Sequence, residues 1–287
     1  MKEITVISGK GGTGKTSLTG SFAALARKSA VLVDADVDAA NLSLITRPTL
    51  RETYEFRASR EAVIDPERCR RCGLCFALCR FGAVSEDYAV DSTACEGCGV
   101  CVHACPHEAA VLAEKLSGHW FISDTPYGTL VHARLGVAEE NSGKLVTTIR
   151  NKAVELASAA GKEYLIIDGP PGIGCPVIAS LAGVKAALIV TEPTLSGIHD
   201  LERVLAVCRH FSVAAAVCIN RFDLDERNTR AIEEYCEQAA VMLAGKIPFD
   251  RAVVEAVVRG IPVVEYTQGP VSGMIKEVWA RTAAMAE

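Results

Sequence analysis

The apolar positions of this chain fall into blocks whose spacing alternates between that of strands and that of helices. A β-branched run, Ile4 to Ile7, predicts an opening strand, and the alanine-rich stretch Ser17 to Arg27 predicts the helix after it. Val31 to Asp34 reads as a second strand. Tyr164 to Ile167 is a continuous apolar run of the kind buried on both faces, and Ser142 to Ala160 reads as the helix before it. From Ala186 onward the alternation is regular: a strand over Ala187 to Thr191, a helix around His199 to Arg209, a strand over Val213 to Asn220, a helix from Glu226 to Gln238, a strand over Val241 to Ile247, and a closing pair of helices. Such alternation predicts an α/β protein, a doubly wound and mostly parallel sheet with its ligand site at the carboxyl ends of the strands.

Between the second strand and Ser142 this pattern breaks. From Phe56 to Leu116 the chain is short strand-like stretches, turns and cysteines, and Ser117 to Gly136 reads as a loop-rich return to the sheet. The expected organisation is one discontinuous domain, 1–55 and 117–287, interrupted by a small inserted domain over 56–116. With 287 residues, 49% of them apolar, there is enough chain for both. A net charge of −5 without a polybasic run argues against nucleic acid as a partner. The last helical stretch, Val271 to Met285, carries only Lys276 and Arg281 as cations, which fits a packed helix and not a stable membrane anchor. The chain opens directly on a strand, with no basic and apolar leader, so a cytoplasmic, reducing location is expected.

Eight of the twelve cysteines form two copies of one spacing, Cys69-x2-Cys72-x2-Cys75-x3-Cys79 and Cys95-x2-Cys98-x2-Cys101-x3-Cys105-Pro106. This doubled run resembles the ligand set of a two-cluster bacterial ferredoxin, in which the fourth thiolate of each run serves the other cluster. The expected sets are Cys69, Cys72, Cys75 and Cys105 for one 4Fe-4S cluster, and Cys95, Cys98, Cys101 and Cys79 for the second. Zinc needs only four ligands and does not ask for this spacing, and disulfides do not suit a reducing compartment. Arg80 stands where a proline usually follows the fourth cysteine; that proline ligates nothing, so the assignment is unaffected. Cys208, Cys218 and Cys236 lie in apolar or helical contexts and read as small buried hydrophobes. Arginines gather near the first run (Arg57, Arg60, Arg68, Arg70, Arg71, Arg80), partly offset by Glu61, Asp65 and Glu67.

After the first strand comes Ser8-Gly9-Lys10-Gly11-Gly12-Thr13-Gly14-Lys15-Thr16, the pattern G-x4-G-K-T. Its glycines let backbone N–H groups turn onto phosphate oxygens at the start of a helix, Lys15 reaches the β- and γ-phosphates, and Thr16 ligates Mg²⁺. The early Lys10 makes KGGTGKT resemble the deviant Walker A of the MinD/ParA superfamily, which includes the nitrogenase iron protein and the Mrp/Nbp35 cluster carriers. The resemblance implies an ATP-driven homodimer in which Lys10 reaches the partner subunit's phosphates. It also implies that Asp36, in Asp34 to Leu42, orients the attacking water. Asp168, at the end of Tyr164 to Gly172, would hold Mg²⁺, with Gly172 sensing the γ-phosphate. Asn220, Arg221 and Pro248 fall at the family's base-binding and nucleotide-edge loops. Cys175, seven residues after Asp168, matches one bridging thiolate of the nitrogenase iron protein; the other would align near Asn141, where there is no cysteine.

Taken whole, the chain resembles MinD-superfamily ATPases with an inserted ferredoxin domain. The resemblance implies ATP or ADP with Mg²⁺ as nucleotide, two 4Fe-4S clusters as cofactors, and a redox or cluster-accepting protein as partner. The leading expectation is an ATPase whose nucleotide state governs electron transfer from the clusters. Cluster assembly and transfer of the Mrp/Nbp35 type is the alternative, and a MinD/ParA-like positioning switch ranks below both because of the eight cysteines. Nothing resembles a glutaminase cysteine triad, so amidation is set aside.

Overall fold

The computed structural model describes residues 1–136, 139 and 141–287. Along the chain these residues form β1 (Lys2–Ser8), α1 (Lys15–Ala26), β2 (Ala30–Asp34), α2 (Ser43–Thr46), β3 (Thr49–Ile64), the short helices α3 (Leu74–Leu78) and α4 (Val100–Ala104), β4 (Ala110–Thr125) and β5 (Gly128–Leu135). The rest alternates as α5 (Ser142–Ala159), β6 (Tyr164–Pro171), α6 (Cys175–Leu181), β7 (Ala186–Thr191), α7 (Leu195–His210), β8 (Ala214–Asn220), α8 (Glu226–Gln238) and β9 (Met242–Ile247). It closes on α9 (Arg251–Val258), α10 (Val263–Tyr266) and α11 (Pro270–Met285). The closing pair of helices expected from the sequence is thus three, because the Gly260 to Pro262 break starts a separate turn before α11.

Nine strands are hydrogen-bonded in the order β3-β4-β5-β2-β6-β1-β7-β8-β9. The pairs of β2 with β5 and β6, of β1 with β6 and β7, and of β8 with β7 and β9 are parallel. Every residue of β2 and β7 is buried, as for strands covered on both faces. On one face Phe22 of α1 packs with Leu32, Leu130, Ile166 and Leu188 and with Val271, Ile275 and Val278 of α11. Trp279 of α11 closes this layer, its ring 5.1 Å from those of both Phe22 and Tyr164. Leu145, Val146, Ile149, Ala153 and Ala157 form the buried stripe of α5.

The chain divides into two compact units. The first holds Met1–Tyr54, Trp120–Arg134 and Ser142–Glu287; the second holds Glu55–His119 and Leu135–Asn141, and so takes in residues on both sides of 56–116. The expectation of short strands at the edges of the insert is corrected: β3 and β4 are 16 residues each. Nor is Ser117 to Gly136 loop-rich. Its Ser, Gly and Asp residues suggest breaks, but Ser117, Gly118 and Asp124 sit within β4, and only Pro126 and Tyr127 turn the chain into β5. A two-residue turn joins antiparallel neighbours. Ile122, Leu130, Val131 and Ala133 supply the buried positions that make these residues strands.

Gly128 opens β5 at φ 136°, and a Cβ there would stand 2.3 Å from the carbonyl oxygen of Ala30, its partner in the β2 register. Gly128→Ala is expected to lower stability by about 2 kcal/mol or more through backbone strain. Urea unfolding monitored by circular dichroism checks this; an unchanged midpoint would contradict it.

Candidate functional site

The carboxyl ends of β1, β2 and β6 meet where three functional stretches converge. After β1 the chain turns through Gly12 (φ 81°) and Gly14 (φ 94°), backbone that a side chain rarely adopts, and enters α1 at Lys15. Lys15 is 6% exposed and its Nζ donates to Ser8 Oγ at 2.9 Å. Thr16 Oγ1 donates to Asp168 Oδ2 and stands 2.7 Å from both that atom and Asn41 Oδ1. Thr19, one turn along α1, donates to Asp168 Oδ1 at 2.9 Å. Gly172 (φ 93°) donates its N–H to the carbonyl of Ser8, which fixes the end of β6 to the loop.

Charge in this pocket is unbalanced. Asp34 and Asp168 are opposite one another in the parallel register of β2 and β6, both fully buried, and Asp36 is nearby. Burial pushes the Asp168 carboxyl up from 3.8 to about 6, against the pull of Thr16, Lys15 and Thr19. Burial also raises Asp34, with the Asp168 charge adding to it, and raises Asp36 against the pull of Lys15. Burial lowers Lys15. Two carboxylates, Asp36 and Asp168, facing one buried ammonium with a third, Asp34, behind them suit a divalent cation, with Thr16 and Asp168 as the oxygen donors. Thr13 Oγ1 is buried without a hydrogen-bond partner, a free polar atom inside the loop. The cleft of about 1330 Å³ over these groups is lined by Gly11, Gly12, Gly14, Lys15, Thr16, Asp36, Asn41 and Arg221, among others.

Sequence reasoning missed four residues here. Asp34 accepts from Leu42 N–H (2.9 Å) and Asp36 N–H (3.3 Å), and so shapes the loop that carries Asp36. Thr19 and Ser8 hold Asp168 and Lys15. Glu192 accepts from Arg221 Nη1 at 2.7 Å and pairs with Lys10 at 3.6 Å, while Lys10 Nζ also donates to Thr194 Oγ1 at 3.0 Å. Ser8 and Asp34 have partners within eight residues but stand at strand ends before loops whose folding back no pattern marks, and Thr19 and Glu192 meet partners distant in sequence. Within this chain Lys10 is therefore held on its own Glu192 side. Asn220 Nδ2 donates to the carbonyl of Thr13 at 2.8 Å, supporting the loop itself. Pro248 precedes Phe249, whose N–H donates to Asp223 beyond Arg221.

In the second unit the two cysteine runs lie 26 residues apart and repeat one backbone. α3 and α4 each begin after a left-handed glycine, Gly73 and Gly99. Cys69 N–H donates to Asp65 O, and Cys95 N–H to Asp91 O, both at 3.0 Å. The halves then exchange partners: Asp65 N–H donates to Ala109 O at 2.8 Å and Asp91 N–H to Ala83 O at 2.7 Å. This exchange brings the end of each run to the start of the other. Cys69, Cys72, Cys75 and Cys105 line one small cavity, and Cys95, Cys98, Cys101 and Cys79 line a second.

The walls between the thiols are mostly apolar, with Ile64, Leu74, Ala109 and Ala110 in one cavity and Phe81, Ala83, Val84 and Val100 in the other. Among the described residues no group of three or more His, Cys, Asp or Glu side chains is arranged to hold a metal ion. Ala83 N–H and Ala109 N–H point at Cys79 Sγ and Cys105 Sγ, both at 3.3 Å. Burial acts upward on Cys79, but the N–H groups of Ala83, Phe81, Val84 and Gly82 outweigh it and hold the thiol below its ordinary range. At Cys105 the N–H of His107 leads the same effect. Burial raises Cys75 and Cys101. A cubane takes four thiolates, so the four-thiol donor set lining each cavity is of the type that group requires. Cys175 is exposed at the start of α6, and Cys208, Cys218 and Cys236 are buried.

Residues 4–263 match the model of the CobQ/CobB/MinD/ParA nucleotide-binding domain. An uncharacterized protein of Methanocaldococcus jannaschii is 32% identical over 97% of this chain and 95% of its own length. The septum site-determining protein MinD of Synechocystis is 25% identical over 97% of this chain and 87% of its own. Among solved structures, MinD of Pyrococcus horikoshii complexed with Mg-ADP superposes with a TM-score of 0.61 at 18% identity, covering 98% of this chain and 95% of that one. No helix of the described residues is long and apolar enough to cross a membrane.

Because its carboxyl is raised to about 6, folded Asp168 keeps its proton at pH values where the unfolded chain has released it. Between about pH 4 and 6 unfolding therefore releases a proton, and this site's contribution to stability falls as pH rises through that window. Urea unfolding of the nucleotide-free protein is expected to show this slope, and Asp168→Asn to flatten it. Parallel profiles for the two proteins would contradict the assignment.

Proposed function

We propose, for a chain that belongs to the CobQ/CobB/MinD/ParA nucleotide-binding family and is an ATP-binding P-loop ATPase of the MinD/ParA type, that its nucleotide state governs electron transfer from two 4Fe-4S clusters in the second unit to a protein partner. The observation that carries this reading is the pair of cavities, each ringed by three thiols of one run and the fourth of the other. Cys69, Cys72, Cys75 and Cys105 would hold one cluster, and Cys95, Cys98, Cys101 and Cys79 the second. When bound, the clusters supply one-electron redox chemistry.

In the nucleotide cleft, backbone N–H groups of Gly11 to Lys15 bind the phosphates and Lys15 neutralises the terminal ones. Thr16 and Asp168 orient Mg²⁺, and Asp36 orients a water whose oxygen attacks the γ-phosphorus as the bridging oxygen leaves with ADP. Lys10 is freed from Glu192 when a second subunit offers its phosphates, so ATP favours a homodimer. The loop Asp34 to Leu42 precedes β3, the strand by which the chain enters the second unit, and this continuity supports coupling. Exposed Cys175, outside both cavities, favours the cluster-carrier alternative to the extent that it binds a labile cluster.

The comparisons favour a second reading over electron transfer: a MinD/ParA-like positioning switch, which the sequence ranked last. The named relatives are septum site-determining proteins, and a solved MinC:MinD complex of Aquifex aeolicus shares the fold at a TM-score of 0.60. A redox titration with ADP and with a slowly hydrolysed ATP analogue separates the two. Shifted cluster potentials support coupling; clusters whose potentials ignore nucleotide leave the switch.

Lys15→Ala is expected to abolish ATP binding without loss of iron, whereas Asp36→Ala keeps ATP binding and slows hydrolysis by about 10²-fold or more, the scale of one catalytic group. Calorimetric ATP binding with phosphate release checks both; normal turnover by Lys15→Ala would overturn the site. Cys79→Ala is expected to degrade the cluster of Cys95, Cys98 and Cys101 and to spare the other. EPR of the reduced variant reads this, and loss of the Cys69 cluster alone would rule out crossed sharing.

A further inference from the structure

The two cysteine runs of the second unit share a backbone but not a surface. Displaced by 26 residues, Arg68, Arg70, Arg71 and Arg80 of the first run correspond to Ala94, Glu96, Gly97 and Pro106 of the second. Phe76, Leu78 and Phe81 correspond to Val102, Ala104 and His107. The caps and thiol contacts match in the two runs although these side chains differ; Arg70, Leu74 and Phe81 also line the thiol cavities, whereas Arg68, Arg71, Arg80, Phe76 and Leu78 do not. Leu74, Phe76, Leu78 and Phe81 are 43–48% exposed. Among the described residues Arg70, Arg71 and Arg80 form no ion pair, while Arg68 reaches Asp65 at 3.6 Å. From Arg68 to Ser85 there is no acidic residue, although the chain as a whole is acidic.

Exposed phenylalanines in a stretch rich in arginine and free of acidic residues have the composition of an interface centre, where aromatic residues and Arg are enriched and acidic residues are depleted. We propose that Arg68 to Phe81 is the docking surface for a small acidic redox protein, whose carboxylates meet the arginines and whose apolar patch covers Phe76 and Phe81. Arg70 and Leu74 also line the cavity of Cys69, Cys72, Cys75 and Cys105, and Phe81 that of Cys95, Cys98, Cys101 and Cys79, so this stretch adjoins both thiol sets. The redox part of the proposal rests on the electron-transfer reading above; the surface itself rests on charge and exposure.

The test uses the anaerobically purified full chain and a small acidic ferredoxin as probe, with binding and electron exchange measured separately. Wild type is expected to bind at low salt and to weaken as salt screens the charges. The variant R70E/R71E/R80E should lose at least tenfold in affinity at low salt, within the about 10–10³-fold range of electrostatic steering. F76S/F81S should lose a similar factor while keeping the salt dependence, and E96R, at the position matching Arg70, should stay within about twofold of wild type. Equal binding by R70E/R71E/R80E and wild type, equal loss in E96R, or no binding by wild type would overturn the surface. Binding that obeys these expectations without electron exchange would uphold the surface and overturn the electron-transfer reading. Exchange that persists unchanged in R70E/R71E/R80E would do the reverse.

Discussion

Asp168 lies buried at the end of β6, gripped by the hydroxyls of Thr16 and Thr19 and facing Asp34 across the parallel register. A carboxyl in that position is costly to ionise unless a cation offsets it. Lys15 supplies part of the charge, and a divalent ion delivered with nucleotide phosphates would supply the rest. The same two threonines fix α1 to the sheet, so the charge demand of the pocket and the position of the phosphate-binding helix are one problem. Asp34 extends the arrangement by capping Leu42 and Asp36, which shapes the loop from which the water-orienting carboxylate projects.

The second unit solves a different problem. The exchange of Asp65 and Asp91 hydrogen bonds with Ala109 and Ala83 sets the end of each thiol run beside the start of the other. Backbone N–H groups near Cys79 and Cys105 favour thiolate at the last cysteine of each run. Because the backbone repeats and the outward side chains do not, structure and recognition are separable there.

The glycine-rich motif was legible because its chemistry is local: Gly12 and Gly14 must adopt positive φ. The continuous apolar runs of β2, β6 and β7 gave the parallel sheet for the same reason. What the sequence concealed depends on distant pairing. Ser117, Gly118 and Asp124 look like loop residues until β3 and β5 flank them, and Asp34 looks like any strand-end carboxylate until the register sets it beside Asp168. Glu192 had no local sign of its role because Lys10 and Arg221 reach it from two other loops. Asn220, expected at the adenine, also spends an N–H on the Thr13 carbonyl, a bond that follows from the approach of β8 to the loop.

On an ATPase of this family, the central proposal is that the eight cysteines of the two runs hold two clusters with crossed ligation. Iron and sulfide analysis of the anaerobically purified chain, with EPR of the dithionite-reduced protein, tests it most directly. The account predicts about eight iron and eight sulfide per chain, as two cubanes require, and a spectrum of two interacting reduced clusters. Zinc in place of iron, or about four iron with a single isolated signal, would contradict it.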